Sequence, residues 1–479
     1  MKKVGIVFLL GFLFVQIPYA QKTPVENLYE YRLSNGLTLF VAENHAVPLT
    51  YIEIAVRCGA YTQEKENTGL FHLYEHMMFK GNSLFRNAAE VTNALTRLGV
   101  SGWNGTTDLE CVNYYFTVPS SVTKKGLEFW SAAIRSPLLD KNELGNEKKV
   151  VISEINGNFS SPSRILTNFE SRTIFSDSPW KMDPSGSVPV VQNATVQNLL
   201  DIQKAFYIPN NSALFVGGDV EHEKVYKMAD EIFGSWEKGE NPFKNGFPSH
   251  SKNPFSKTYF CVMPFDSISE EIARISVKYR GPDAAFERED TYAMDIFTEC
   301  LSNPSGKFKK SIFADEYIES PSAEYVSQGY HTRRTCGTFG VNVVVTNPEK
   351  ELSERAKYFS SRLPELLKNA AESITEEDIT RTAVKLQDSN IYTNETAQGI
   401  LRNVRFWWTV ADEDYAFTYD KKMSEVKAAE IRNVVEKYIK GKNPLVTVLV
   451  NPNVYEKTKK SFMEAGFTEI KSDNAFWFK

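Results

Sequence analysis

The sequence predicts an α+β fold made of two duplicated α/β-sandwich domains, each a mainly antiparallel sheet packed with helices. Three observations lead to it. Strand-like and helix-like segments are mixed without strict alternation, as in α+β rather than doubly wound chains. Residues 239–256 hold Pro242, Pro248 and Pro254 among Asn, Lys, Ser and Gly, which is linker composition. Beyond that linker the pattern of the first half returns at low fidelity. Residues 202–220 (helix, Tyr207, Asn211, apolar strand) line up with residues 435–454 (helix, Tyr438, Pro444, the apolar run 445–450), and Ile275, Val277 and Tyr279 echo the strand holding Ile52. The expected parts are an export segment at 1–20, a first domain at 21–238, the linker, and a second domain at 257–479.

Taken in order, Met1-Lys2-Lys3 is a short positive region, residues 4–17 are apolar, and Tyr19-Ala20 precedes Gln21. This reads as a secretory signal cut after Ala20. Its apolar stretch is too short for a comfortable membrane span and no later stretch qualifies, so an exported, most simply periplasmic, chain without a stable membrane anchor is expected. Residues 29–33 and 37–41 read as strands joined by the turn Ser34-Asn35-Gly36. Residues 50–57 alternate, with Ile52, Ile54 and Val56 on one face. Residues 70–80 contain neither Pro nor Gly and favour helix. Residues 88–98 carry Val91, Leu95 and Leu98 at core spacing before Gly99 breaks the pattern. Residues 104–118, rich in Thr, Val, Tyr and Phe, are strand territory. Helices are expected at 122–134 and 141–156, loops with one helix near 163–175 across 160–189, and a helix at 195–206 capped by Thr195. A strand at 212–217 and a helix at 224–233 close the first domain.

A chain of 479 residues with 42% hydrophobic and 24% charged residues is ordinary globular material for two or more domains. A net charge of −5 argues against a nucleic-acid binder. Cys58, Cys111, Cys261, Cys300 and Cys336 are scattered without C-x-x-C spacing, so they form neither a zinc framework nor a disulfide scaffold, and core packing is their expected role.

The chemistry sits in His72-x-x-Glu75-His76. On a helix, residues four apart share a face, so His72 and His76 can take two corners of a tetrahedral zinc site. Glu75, beside His76, can reach water at that metal. This is the zinc-protease pattern with the carboxylate ahead of the second histidine; a pair of helix-surface histidines is the plain alternative. A catalytic zinc takes three protein ligands and keeps one position open. Glu147 and Glu154, seven apart in a helix-compatible run, share a face. One could bind metal while the other holds a histidine from behind, or both could belong to a solvated helix face.

Those residues together resemble the pitrilysin/insulinase family, nearest its mitochondrial-processing-peptidase branch of half-length chains. The likeness extends to Gly102-Trp103-Asn104-Gly105-Thr106-Thr107-Asp108, Tyr114-Tyr115, Phe206-Tyr207-Ile208-Pro209-Asn210-Asn211, Gly217-Gly218-Asp219-Val220, Phe233-Gly234 and Ser34-Asn35-Gly36-Leu37. It is strong over residues 28–240 and weak beyond. The resemblance implies Glu154 as third ligand of one Zn²⁺ per chain, Glu147 as its supporting acid, and Glu75 as general base in peptide hydrolysis. It implies that Asn104 and Gly105, on an edge strand usually written Asn-Ala, hydrogen-bond an extended peptide by strand addition. Phe79 would line a side-chain pocket beside the metal or simply pack in the core. Active chains of the family usually carry an Arg and a Tyr in the second half. Here Glu316 and Ser320 stand at those places, and Tyr317, Tyr325, Arg333 and Arg334 do not fit the spacing. The second half also lacks H-x-x-E-H; residues 295–313 hold no histidine. The expectation is a zinc metalloendopeptidase acting on extended or unfolded peptides, as the zinc-bearing subunit of a pair whose homologous partner supplies the Arg and Tyr. A non-catalytic scaffold or chamber subunit is the alternative.

Overall fold

The computed structural model describes residues 21–23, 25–100, 102–248 and 255–478. The expected export segment, 1–20, and part of the expected linker, 249–254, lie outside the described residues.

The first half forms a seven-stranded sheet from β1 (Gln21–Lys22), β2 (Leu28–Arg32), β3 (Thr38–Glu43), β4 (Leu49–Val56), β5 (Trp103–Thr107), β6 (Val112–Pro119) and β7 (Ser212–Gly218), in the order β1-β2-β3-β7-β4-β6-β5. Only the β3/β7 pair is parallel. Eight helices accompany it: α1 (Leu70–Met77), α2 (Ala88–Arg97), α3 (Thr123–Arg135), α4 (Lys141–Ser160), α5 (Pro162–Ile174), α6 (Val188–Asn193), α7 (Val196–Phe206) and α8 (His222–Phe233). Thr195 caps α7 as expected, its hydroxyl accepting from Asn198 N. Residues 104–118, read as strand territory, form a hairpin, because the chain turns at Asp108, whose N–H donates to Cys111 O (2.9 Å). The motif helix ends at Met77, three residues early, where the chain tightens so that Lys80 N bonds Met77 O ahead of Gly81 at φ 142°. Helix α6, with Pro189 in its first turn, occupies part of the stretch read as loop.

The second half forms a six-stranded sheet from β8 (Tyr259–Pro264), β9 (Ile272–Arg280), β10 (Val326–His331), β11 (Thr338–Thr346), β12 (Leu445–Val450) and β13 (Thr468–Glu469). Its α-helices are α9 (Arg288–Cys300), α10 (Lys307–Phe313), α11 (Leu352–Ser373), α12 (Glu376–Thr393), α13 (Ala397–Val410), α14 (Glu413–Glu425), α15 (Ala428–Tyr438), α16 (Pro452–Glu464) and the short α17 (Ser472–Ala475). The order β8-β12-β9-β11-β10 repeats β3-β7-β4-β6-β5 strand for strand, with the parallel pair at the same place. The low-fidelity repeat in the sequence therefore has a common topology behind it.

Each sheet is buried on both faces, by different partners. The inner face of the first sheet (Leu39, Ile52, Ile54, Tyr114, Leu214) packs on that half's own α1, α3 and α7. Its outer face (Phe40, Tyr51, Ala55, Phe215) is covered by α13 of the second half through Ile400, Leu401, Val404 and Trp408. In return, the first half's Phe169, Ile174, Phe175 and Trp180 cover the outer face of the second sheet at Cys261, Met263, Leu445 and Leu449. This exchange explains why β4 is buried from Thr50 to Val56, although its alternation reads as a strand buried on one face. Ion pairs mark both crossings with opposite polarity. Fully buried Glu53 on β4 receives Arg405 of α13 (2.8 Å), while Lys278 on β9 meets Glu170 of α5 (2.6 Å). Tyr51 Oη (2.8 Å) and Asn113 Nδ2 (2.6 Å) also donate to Glu53, so its buried charge is hydrogen-bonded as well as paired.

Trp408 lies at this crossing, with the Arg57 guanidinium 3.9 Å above its ring. Replacing it by Ala is expected to lower stability by about 3–5 kcal/mol in urea titrations followed by tryptophan fluorescence and circular dichroism. A loss below about 1 kcal/mol, the size of an ordinary surface substitution, would remove α13 as a structural cover.

Candidate metal centre

Helix α1 begins where two backbones touch. Gly69 has φ 85°, and a Cβ on Gly186 would stand 2.2 Å from Gly69 Cα, so no side chain fits at either position without moving the other segment. Gly69 N donates to the buried Gln63 Oε1 (2.5 Å), which fixes the first turn. Leu70, Phe71, Leu73, Tyr74 and Met77 then face the core. The 3.6-residue period leaves His72, Glu75 and His76 on the opposite side, toward α4 and β5.

Helix α4 starts at Asp140, whose carboxylate accepts from Asn142 N and Glu143 N. Both of its acids reach the histidines. Glu147, with a side chain 8% exposed, accepts from His76 Nδ1 (3.0 Å) through Oε2 and pairs with Lys80 (2.7 Å) through Oε1. With the proton held on Nδ1, His76 Nε2 is left as a lone pair. Glu154, 47% exposed, puts Oε2 at 3.6 Å from His72 Nε2 and 3.7 Å from His76 Nε2, and the two imidazole nitrogens are 3.3 Å apart.

The geometry suits zinc. Donors about a tetrahedral zinc, with bonds of roughly 2.0–2.2 Å, lie roughly 3.3–3.6 Å from one another, and the three separations fall on or just above that range. Burial, then the neighbouring His76, lowers His72 to about 4, so its imidazole is neutral and can donate electrons to a metal. Two acceptor lone pairs and a carboxylate converging without a cation would repel. His72 Nδ1 is buried with no hydrogen-bond partner among the described residues.

Glu75 lies on the β5 side of this cluster. Thr107 Oγ1 donates to its Oε2 (2.8 Å), and burial raises its carboxyl above the usual range, against the opposing pull of that hydrogen bond. The β5 backbone comes so close that a Cβ on Gly105 would lie 2.9 Å from Glu75 Cγ and Oε1. An alanine at that position would oblige Glu75 to swing away. Strand β5 ends its sheet, with exposed Asn104 and buried Gly105 along it. Phe79 is half-buried against Trp103 (4.4 Å between centroids), Tyr114 (5.9 Å) and Trp130 (6.3 Å), which places it in the core cluster and beside the edge strand at once.

Several functional neighbours carried no clear signal in the sequence. Lys80 and Thr107 lie inside quoted stretches, but only the fold pairs them with Glu147 and Glu75. A cavity of about 630 Å³ opens beside His72 and Glu154, and Asn158, Arg164 and Asp183 also line it. Glu316 and Ser320 do not line it; Glu316 is exposed and Ser320 is buried, donating to Ser322 O (3.2 Å). Arg334 is a clamp between the halves: its N–H donates to Glu110 Oε1 (2.8 Å) and its guanidinium to Ala411 O (2.9 Å). Arg333 lies 3.9 Å from both Asp108 and Glu110.

Residues 39–182 match the family described as insulinase (peptidase family M16), and residues 193–386 match the peptidase M16 inactive domain. An uncharacterized zinc protease of Rickettsia felis is 26% identical over 215 residues, which are 45% of this chain and 52% of the relative. This chain thus spans about half the length of that relative, and likewise of a Rickettsia bellii zinc protease (52%). Zinc protease PqqE of Helicobacter pylori is 21% identical over 423 residues, 88% of this chain and 92% of its own length. Among solved structures, the first half of the periplasmic protease PqqL from Escherichia coli matches with a TM-score of 0.74 at 13% identity, covering 95% of this chain and 98% of that one. A protease from Helicobacter pylori matches with a TM-score of 0.72 at 18% identity, covering 90% and 99%. At such identities the structural likeness speaks for the fold alone.

Glu147→Gln is expected to weaken zinc binding by about 10–100-fold, read by competition with a chromogenic chelator, without loss of helical circular dichroism. Unchanged affinity would show that His76 needs no carboxylate behind it.

Proposed function

Because this chain belongs to the insulinase family, peptidase family M16, we propose that it is a zinc metalloendopeptidase acting on extended or unfolded peptides. The observation that carries this reading is the convergence of His72 Nε2, His76 Nε2 and Glu154 Oε2 beside Glu75 at an open sheet edge. His72, His76 and Glu154 would hold one Zn²⁺ per chain, with Glu147 orienting His76. When bound, zinc supplies a Lewis acid that polarises the scissile carbonyl and acidifies water. Glu75 takes a proton from the attacking water and returns it to the leaving amine; its raised pKa suits both directions of transfer. Thr107 holds one carboxylate oxygen of Glu75 and leaves the other for that work. Asn104 and Gly105 pair with substrate backbone by strand addition, and Phe79 with Trp103 forms an aromatic wall next to it.

We further propose that the chain is the zinc-bearing member of a pair, with a homologous subunit supplying the Arg and Tyr of the second-half site. Two observations support this. Glu316 and Ser320 stand at those places and do not line the metal cavity. This chain covers 51% of the full PqqL chain, whose first half alone has the same fold. Export to the periplasm fits the sequence of residues 1–20 and the periplasmic designation of PqqL. Among the described residues no helix is long and apolar enough to cross a membrane. The missing Arg and Tyr also favour a second reading, a non-catalytic scaffold subunit of a peptidase complex.

Glu75→Gln is expected to keep fold and zinc content while lowering peptide turnover at least about 100-fold, the weight of a general base. Cleavage by the Gln variant at the wild-type rate would sink the assignment. Wild-type chain that binds zinc but cleaves no peptide, even beside a homologous partner, would favour the scaffold.

A further inference from the structure

The cavity beside the metal centre contains one cation whose charge the fold leaves unspent. Arg164 lies in the first turn of α5, is exposed, and lines the cavity with His72 and Glu154. Among the described residues its guanidinium has no hydrogen bond or ion pair. It is near enough to His72 to add to the lowering that burial and His76 impose on that imidazole.

The acids around it are already engaged. Asp183 accepts from Ser185 N (2.8 Å) on Oδ1 and from Asn168 Nδ2 (2.9 Å) on Oδ2. Asp108 lies 3.9 Å from Arg333, and Glu154 points at the two histidines. Asn158 donates to Ser185 Oγ (3.1 Å). The five donors of Arg164 are therefore available to an incoming group. With a divalent metal bound, its two charges and that of Arg164 balance the three carboxylates that line the cavity, Glu154, Asp183 and Asp108.

Resting on the peptidase reading above, we infer that Arg164 is a specificity-determining residue that binds a carboxylate of the substrate close to the scissile bond. A planar guanidinium matches the two oxygens of a carboxylate with two parallel hydrogen bonds, whereas a neutral amide offers a single acceptor atom and brings no charge. The carboxylate can come from an Asp or Glu side chain or from the end of the substrate chain. The class of substrate is thus an acidic peptide or a short carboxy-terminal segment.

The test uses the full zinc-loaded chain, with a homologous subunit added where cleavage needs one, and two peptide pairs. The first pair differs only by Glu or Gln at positions flanking the cleaved bond, and the second only by a carboxy-terminal acid or amide. Wild type is expected to favour one acidic member by about tenfold in kcat/KM, the size of one charge-assisted hydrogen bond. The pair that discriminates tells side chain from chain end. In Arg164→Gln that ratio is expected to fall to near one, in Arg164→Lys to recover in part, and in Arg164→Glu to invert when Lys replaces Glu in the peptide. Zinc content and circular dichroism of each variant report that the centre is intact. Cleavage with no acid preference in either pair, or a preference that survives Arg164→Gln, overturns the proposal and leaves the peptidase reading standing. Absence of cleavage of every peptide overturns both.

Discussion

The two halves exchange cover, and the rest of the structure depends on that exchange. A sheet with one face packed on its own helices still presents a second apolar face, and exposing it costs roughly 25 cal/mol for each Å² left to water. Here each half lends the other what its sheet needs: α13 for the first, α5 with Phe175 and Trp180 for the second. The consequence reaches the metal centre through the chain itself. Helix α4, which carries Glu147 and Glu154, ends at Ser160, and Pro162 opens α5. Docking α5 on the second sheet therefore anchors the end of the helix that presents Glu154. The second half bears no metal-binding motif, yet it helps set where the third proposed ligand stands.

The centre itself is a concentration of acceptors held by a few countercharges. Lys80 answers one oxygen of Glu147 and His76 the other, so that buried acid is fully satisfied and points its neighbour's free nitrogen inward. Glu154 has no such counterweight and remains largely exposed, as suits a carboxylate that completes a site by moving onto a cation. Glu75 differs again: it is half-buried and held by a single hydroxyl, and desolvation raises its carboxyl above the usual range against the pull of that hydrogen bond. Three carboxylates within two helices thus have three environments. Burial and partner, rather than residue type, separate their proposed roles.

Between the halves, buried charge does structural work away from the chemistry. Glu110 is buried, and desolvation pushes it up to about 7, while Arg333 and Arg334 pull the other way. Arg334, which the sequence left as a stray arginine near an expected functional position, is spent on carbonyls of the chain that leaves α13. The Arg164 cavity shows the converse: among the described residues this arginine, with no motif around it, has no side-chain partner.

Much of this was legible in the sequence because it is local. The period of α1 puts His72, Glu75 and His76 on one side whatever surrounds the helix, and the seven-residue step on α4 does the same for Glu147 and Glu154. The turn at Ser34-Asn35-Gly36, the cap at Thr195 and the repeated strand pattern are likewise short-range signals. The hairpin at Asp108 was missed because strand propensity runs through it without a break, and the burial of both β4 faces because alternation cannot report a helix arriving some 350 residues later, at Ile400–Trp408. Local pattern in the chain carries the helix faces and the duplication. Packing alone brings α1 and α4 to zinc-like distances, sets Lys80 and Thr107 on their carboxylates and, among the described residues, leaves the Arg164 guanidinium unpaired. Those facts depend on packing between segments far apart in the chain, which no local period encodes.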